Sequence, residues 1–393
     1  MSTTATAAKR QAPSAARAEW EAQMNAYREE GKQRALALGN RGPLILDRDG
    51  RLHPDIEAAY WAHGFYVFEG VIDPAELAEL RGAVDGMIAR APVAPGASLD
   101  AEGRPALGRD YARDPYEFCR SLSDPHGGTD HNQGRHPTKM SEPEPDAGAP
   151  EFALIRLRGM CMAMPAALRL YGHPKLLAVA QTLNGPDFTP FNDVIFVKPA
   201  GIGASISWHQ DGVTHWDNPD WNEGIHGFNF QTQLYPSTVA NCLWVVPGTH
   251  KLGKIDIKRM VAEAGGSDRL LGAVPMYCEA GDVTLTNRQT LHGSFANTSP
   301  DPRISITFGF HRRSSVLGQL PRLSMRADTP IDEQQIFDRA AVIQLAIDAR
   351  RQHFPDETPF RYQPFAGLED EFRYDESNIQ RVLRDYNTKD LSI

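Results

Sequence analysis

Cysteine is scarce. The chain of 393 residues has four, Cys119, Cys161, Cys242 and Cys278, with no CxxC pair and no regular spacing. That excludes a disulfide framework and a CxxC-type zinc or redox motif, and predicts thiols that lie buried or idle in a reducing compartment. No apolar run approaches the roughly 18 residues of a membrane span. The opening MSTTATAAKRQAPSAARAEW lacks the apolar h-region of a secretory signal, so a cytoplasmic protein without membrane contact is the expectation. Positive charge is in deficit, with 41 Lys and Arg against 50 Asp and Glu and a formal net charge of −9. This removes generic attraction to nucleic acid or anionic lipid. A pocket can still be locally basic, so a small anionic ligand stays open.

The first fifteen residues are small, polar and Pro-interrupted, and read as a disordered tail. From residue 16 to about 90 the pattern is mostly helical. Trp20, Met24 and Tyr27 share one face of a first helix that Asn40-Arg41-Gly42-Pro43 stops. A second helix closes at His63-Gly64, Phe65 to Phe68 read as a strand, and Asp73-Pro74 starts a third helix. Residues 91–150 are rich in Gly, Pro, Asp and His and have little periodicity, which suggests an irregular lid over a substrate. Between 188 and 312 short β-rich runs follow one another (VIFVK, FNFQTQLY, LWVVPG, DVTLTN, ISITFGF), the signature of a sandwich or barrel. Helix returns over 331–393. Without an internal repeat, a single domain from 16 to 393 is expected, mainly β with flanking helices.

Three pieces carry chemistry. In Trp208-His209-Gln210-Asp211, strand alternation turns His209 and Asp211 to one side and Gln210 to the other, making a two-point clamp for a divalent metal. His292, from a distant strand, completes a facial set of two imidazoles and one carboxylate. Such a set leaves three positions open and suits non-haem Fe(II), whereas zinc favours a closed tetrahedron or one open position. After His292 the turn-rich stretch 295–302 reads as the loop of a hairpin whose return strand places Arg303, Ser305 and Thr307 on one polar face. An internal guanidinium needs an anion, and the distal carboxylate of a 2-oxo diacid would serve.

His209-Gln210-Asp211, Asn241-Cys242-Leu243, Val246-Pro247-Gly248-Thr249-His250, Gly281-Asp282, His292-Gly293-Ser294 and Arg303 together resemble the phytanoyl-CoA dioxygenase family. Tyr60-Trp61 and His63-Gly64-Phe65-Tyr66-Val67 resemble its opening, so the likeness runs from about residue 56 to 312. It implies a double-stranded β-helix (jelly-roll, cupin-like) barrel that uses Fe(II), 2-oxoglutarate and O2. It implies His209, Asp211 and His292 as metal ligands and catalytic centre, with Arg303 and Ser294 holding the co-substrate carboxylate. Gln231 falls where many members carry an aromatic residue near 2-oxoglutarate. Asp211 separates the chain from halogenating relatives, in which a small residue makes room for halide.

The implied reaction is hydroxylation of a C–H bond in a small-molecule substrate, with 2-oxoglutarate converted to succinate and CO2. Desaturation, epoxidation or ring formation would use the same site. A metal-binding barrel without turnover and a cupin-like zinc hydrolase are the readings from other classes. No basic patch stands out, which disfavours coenzyme A as a handle because its phosphates need cations. His126, His131 and His136 are irregularly spaced and read as a solvated lid loop. His250 reads as a loop-packing residue, and Trp208, Trp216 and Trp221 suit either a pocket wall or the core. Nothing in the sequence bears on oligomeric state.

Overall fold

In the computed structural model residues 14–108, 110–190, 193–216, 226–321, 328–384 and 386 are described. The expected tail therefore lies outside the described residues, apart from Ser14 and Ala15. Ser14 accepts the Arg17 amide and caps helix α1 (Ala15–Leu38), which ends on Gly39 at φ 65°. Helix α2 (Pro54–His63) stops at Gly64, φ 80°, and α3 (Pro74–Ala89) begins on Pro74 with Asp73 accepting the amides of Ala75 and Glu76.

The strands are β1 (Arg41–Pro43), β2 (Phe65–Glu69), β3 (Tyr116–Arg120), β4 (Phe152–Arg158), β5 (Thr189–Pro190), β6 (Val194–Lys198), β7 (Ile206–His209), β8 (Gly227–Gln233), β9 (Leu243–Val245), β10 (Val274–Met276), β11 (Val283–Asn287), β12 (His292–Ser294) and β13 (Arg303–His311). They form two sheets. The larger runs β1-β2-β11-β8-β13-β6-β4-β3 with β5 on β13, and the smaller runs β10-β9-β12-β7.

The larger sheet has two unlike faces, and strand register shows why. Arg303 pairs with Lys198, Ser305 with Phe196 and Gln233, and Thr307 with Val194 and Gln231. Arg156 and Arg158 continue the Phe196 and Val194 rows onto β4. These residues stand on one face, because partners in register share it and side chains repeat every second position. The alternate residues Ile304, Ile306, Phe308, Phe310, Ile195, Phe228, Phe230 and Leu157 belong to the main apolar core. Helices α4 (Pro165–Tyr171), α5 (Pro174–Asn184) and α6 (Glu333–His353) supply the other half of that core. Each aromatic or branched side chain buried there contributes about 1.5–3 kcal/mol. The smaller sheet is backed by α1, whose Tyr27 ring stacks on Trp244 at 4.8 Å.

Two expectations need correction. Residues 292–308 do not form a hairpin: β12 pairs with β7 and β9 in the smaller sheet, while β13 pairs with β8 and β6 in the larger. Alternation identifies a strand's faces but not its partner, so the 295–302 connection passes from one sheet to the other. The stretch 91–150 is not irregular throughout, since β3 pairs antiparallel with β4 and extends the larger sheet. All four cysteines are buried and unpaired. Among the described residues no helix is long and apolar enough to cross a membrane.

Candidate metal centre and its cavity

His209 closes β7 and His292 opens β12, and the two are direct register partners on adjacent antiparallel strands. This pairing sets their ring centroids 4.1 Å apart. Asp211 follows two residues beyond His209, its amide held by the Arg288 carbonyl at 2.9 Å. Between them Gln210 turns away, as alternation requires. It donates to the carbonyls of Gly253 and Gln289 and accepts the Ile255 amide. One donor atom from each of His209, Asp211 and His292 lies within 4.8 Å of the others. Nε2 of His209 is 3.7 Å from Asp211 Oδ1, and Nε2 of His292 is 4.0 Å from Oδ2.

The protonation pattern suits a cation. Nδ1 of His209 meets the Ser207 carbonyl and Nδ1 of His292 meets the Thr290 carbonyl, each at 2.8 Å. A carbonyl only accepts, so each Nδ1 carries the proton and each Nε2 turns a lone pair toward the common point. Burial lowers both imidazoles below the ordinary histidine value and keeps them neutral. Burial would raise Asp211, but the Arg135 guanidinium, with that of Arg288 behind it, outweighs it and holds the carboxyl at about 2. Arg135 Nη1 lies 2.9 Å from Oδ1, and Asn229 Nδ2 donates to Oδ2 at 3.0 Å.

The loop bearing His292 is braced from the N-terminal part. Thr290 Oγ1 donates to the Gly64 carbonyl at 2.9 Å. A Cβ on Gly64 would come within 2.3 Å of Thr290 Oγ1 and 2.5 Å of His250 Nδ1, so only glycine fits. His250 is buried in this brace, with Nε2 3.1 Å from the Trp61 carbonyl.

The three residues open onto a cavity of about 280 Å³ whose walls include Arg303, Ser294, Gln231 and Thr307. Arg303 is 3% exposed; its Nη1 donates to the Asn241 carbonyl at 3.3 Å, while its Nε has no partner. Burial pulls its pKa down to about 10. Gln231 Oε1 and Thr307 Oγ1 are also buried without partners. A guanidinium with an unanswered Nε and an unpaired hydroxyl in the same cavity fit the distal carboxylate of a 2-oxo diacid.

Several residues here are invisible to sequence periodicity. The His126, His131 and His136 segment is not a solvated loop: His126 and His136 are buried, and the His136 ring lies 4.3 Å from that of His209. His136 Nδ1 contacts Ser207 Oγ at 3.1 Å, and burial lowers its pKa to about 2. Asn132 and Gln133 in this segment take left-handed backbone (φ 50° and 58°), rare outside glycine and frequent at working sites. Arg135, Arg156 and Arg158 also line the cavity, so a basic wall exists that composition hides, and beside them stand Asn229 and Lys198, whose pKa burial pushes well down. Trp208 belongs to the core, fully buried with Nε1 donating to the Asp268 carbonyl. Trp216 is half-buried under Lys254, and Trp221 lies outside the described residues.

Two imidazoles and a carboxylate converging on one open point, with an internal arginine in the same cavity, define a candidate mononuclear metal centre of the facial-triad class. The family model for phytanoyl-CoA dioxygenase (PhyH) matches residues 60–305. The chain belongs to that family. It is similar to phytanoyl-CoA dioxygenase 1 of Oryza sativa subsp. japonica, 29% identical over 29% of this chain and 41% of that protein. It is also similar to ectoine dioxygenase of Halomonas elongata, 27% identical over 37% of this chain and 50% of that one. The matched region thus spans half or less of these curated relatives. Among solved structures, EctD from S. alaskensis with 2-oxoglutarate and 5-hydroxyectoine is 21% identical, covering 70% of this chain and 82% of that one at a TM-score of 0.47.

Proposed function

We propose that residues 16–393 form one jelly-roll oxygenase domain that uses Fe(II) and 2-oxoglutarate to hydroxylate an unactivated C–H bond of a small molecule. The observation that carries this reading is the pairing of the His209–Asp211–His292 cluster with buried Arg303 across one cavity. His209 and His292 offer neutral Nε2 atoms and Asp211 a carboxylate held by Arg135 and Asn229. Arg303 grips the distal carboxylate of 2-oxoglutarate, with the hydroxyls of Ser294 and Thr307 and the amide of Gln231 completing its surroundings. Bound iron supplies oxygen activation, coupled to conversion of 2-oxoglutarate to succinate and CO2. The chain's own share is binding, orientation and exclusion of water by the covering segment 91–150.

Anaerobic titration with Fe(II) and 2-oxoglutarate tests the assignment through the visible metal-to-ligand charge-transfer band. A band in wild type that weakens or vanishes in both Asp211→Ala and Arg303→Ala is the expected result. Absence of the band with both components bound would sink the reading in favour of a zinc hydrolase or a barrel without turnover. Product mass then separates hydroxylation, which adds oxygen, from desaturation or ring formation, which removes two hydrogens.

A further inference from the structure

His136 stands in the cavity wall next to the metal centre without belonging to it. It is 1% exposed, and its ring packs against that of His209 with centroids 4.3 Å apart. Its Nδ1 lies 3.3 Å from the Ser207 carbonyl oxygen and 3.1 Å from Ser207 Oγ. The same carbonyl accepts Nδ1–H of His209 at 2.8 Å. A carbonyl only accepts, so Nδ1 of His136 carries the ring proton as well. Nε2 is then left with a lone pair. Among the described residues no donor meets that atom.

A buried polar atom without a partner is rare in a folded protein and calls for a reason. Metal ligation is not that reason: among the described residues the converging donor atoms belong to His209, Asp211 and His292. Packing is not the reason either, because an apolar ring fills such a space without leaving a nitrogen unanswered. The segment that carries His136 is held in a costly conformation. Asn132 and Gln133 take left-handed backbone just ahead of it, and the adjacent Arg135 clasps Asp211 Oδ1 at 2.9 Å. One short stretch thus fixes the metal-binding carboxylate with one side chain and presents an acceptor with the next. Ile155, Phe196, Ala204 and Ile206 line the same cavity and offer apolar surface to the rest of a ligand.

Resting on the oxygenase reading, we propose that His136 is a substrate-binding residue whose Nε2 accepts a hydrogen bond from a hydroxyl or amide N–H of the substrate. Because the ring abuts His209, the contact falls beside the metal and selects the C–H bond that lies nearest to it. The substrate is accordingly a small molecule with a hydrogen-bond donor close to the carbon oxidised, and not a bare hydrocarbon chain. A site built to bind such a donor rejects an analogue that lacks it, because the acceptor is then left unpaired.

Long-range proton–nitrogen NMR of the apo-protein with isotope-labelled histidine tests the tautomer first, the His136 signals being those lost in His136→Gln. The proton should sit on Nδ1, and a proton on Nε2 overturns the proposal. The full chain loaded with Zn(II) in place of Fe(II) and with 2-oxoglutarate is then titrated with n-butanol and with N-methylacetamide. Butyl methyl ether and N,N-dimethylacetamide serve as their donor-free counterparts, and affinity is read from the probes' own proton signals. At least one donor probe should bind saturably, shift the Nε2 resonance and exceed its counterpart at least fivefold, and the tighter donor names the group recognised. His136→Phe should abolish that preference. His136→Gln, which sets an amide oxygen near the place of Nε2, should keep part of it. No saturable binding of either donor, or a preference that survives in His136→Phe, overturns the proposal; should that variant fail to fold, the wild-type tautomer and preference decide alone. A full charge-transfer band in wild type with the donor preference missing leaves the oxygenase reading intact. The preference present with the band missing retires the oxygenase reading and leaves the His136 site standing.

Discussion

Asn229 has no charge and offers no metal ligand, yet its amide fixes one oxygen of Asp211 while Arg135 fixes the other. Groups that orient a ligating carboxylate typically govern metal affinity ten- to hundredfold. Asn229→Ala should therefore weaken Fe(II) binding by about that factor with little change in melting temperature. An affinity within twofold of wild type would show that Arg135 alone sets the carboxylate. The two ligand imidazoles need no such help, because each takes its tautomer from the carbonyl two residues before it. What makes the site legible in the sequence is the spacing of His209 and Asp211, two residues apart on one strand, which alternation turns to the same side. Arg135, His136 and Arg158 act through tertiary contacts, and no spacing rule brings residues 135 and 211 together.

Among the elements, α4 ends hard against α6. A Cβ on Gly172 would come within 2.4 Å of the Ala346 carbonyl oxygen and 2.8 Å of the Ile347 amide nitrogen. Backbone cannot step aside as a flexible side chain can, so Gly172→Ala should cost about 1–3 kcal/mol in a denaturant melt. The charge-transfer titration should be unaffected, and a variant as stable as wild type would mean that the α4–α6 contact is looser than drawn. Local signals foretold α1 to α3, α6 and the runs that became β6, β8, β11 and β13, because caps and alternation are local. The partnership of β12 and β13 was misread, since a turn-rich link looks alike whether it closes a hairpin or changes sheets. β3 was missed because a five-residue strand within a Gly- and Pro-rich stretch has too few positions to show a period.

Across the whole molecule, buried neutral histidines set the response to acid. His173 and His226 are lowered to about 3, and His215 and His250 to about 4, each chiefly by burial. In the unfolded chain they titrate near 6.5. Below that pH the unfolded state takes up protons that the folded state refuses, so stability present above about 6.5 is lost as pH falls toward the folded values. Each group contributes about 1.4 kcal/mol per pH unit in that window. Melting temperature followed by circular dichroism should be level from pH 8 to 6.5 and drop steeply by pH 5; a level curve down to pH 4.5 would contradict this account. The unlike faces of the larger sheet carry a different consequence. Residues that hold the molecule together and residues that meet its ligand alternate along the same strands, Leu157 and Ile306 among the former, Arg156, Arg158 and Thr307 among the latter. Drift at the ligand-facing positions leaves the apolar packing unchanged, so one scaffold can be retuned to new chemistry a single codon at a time.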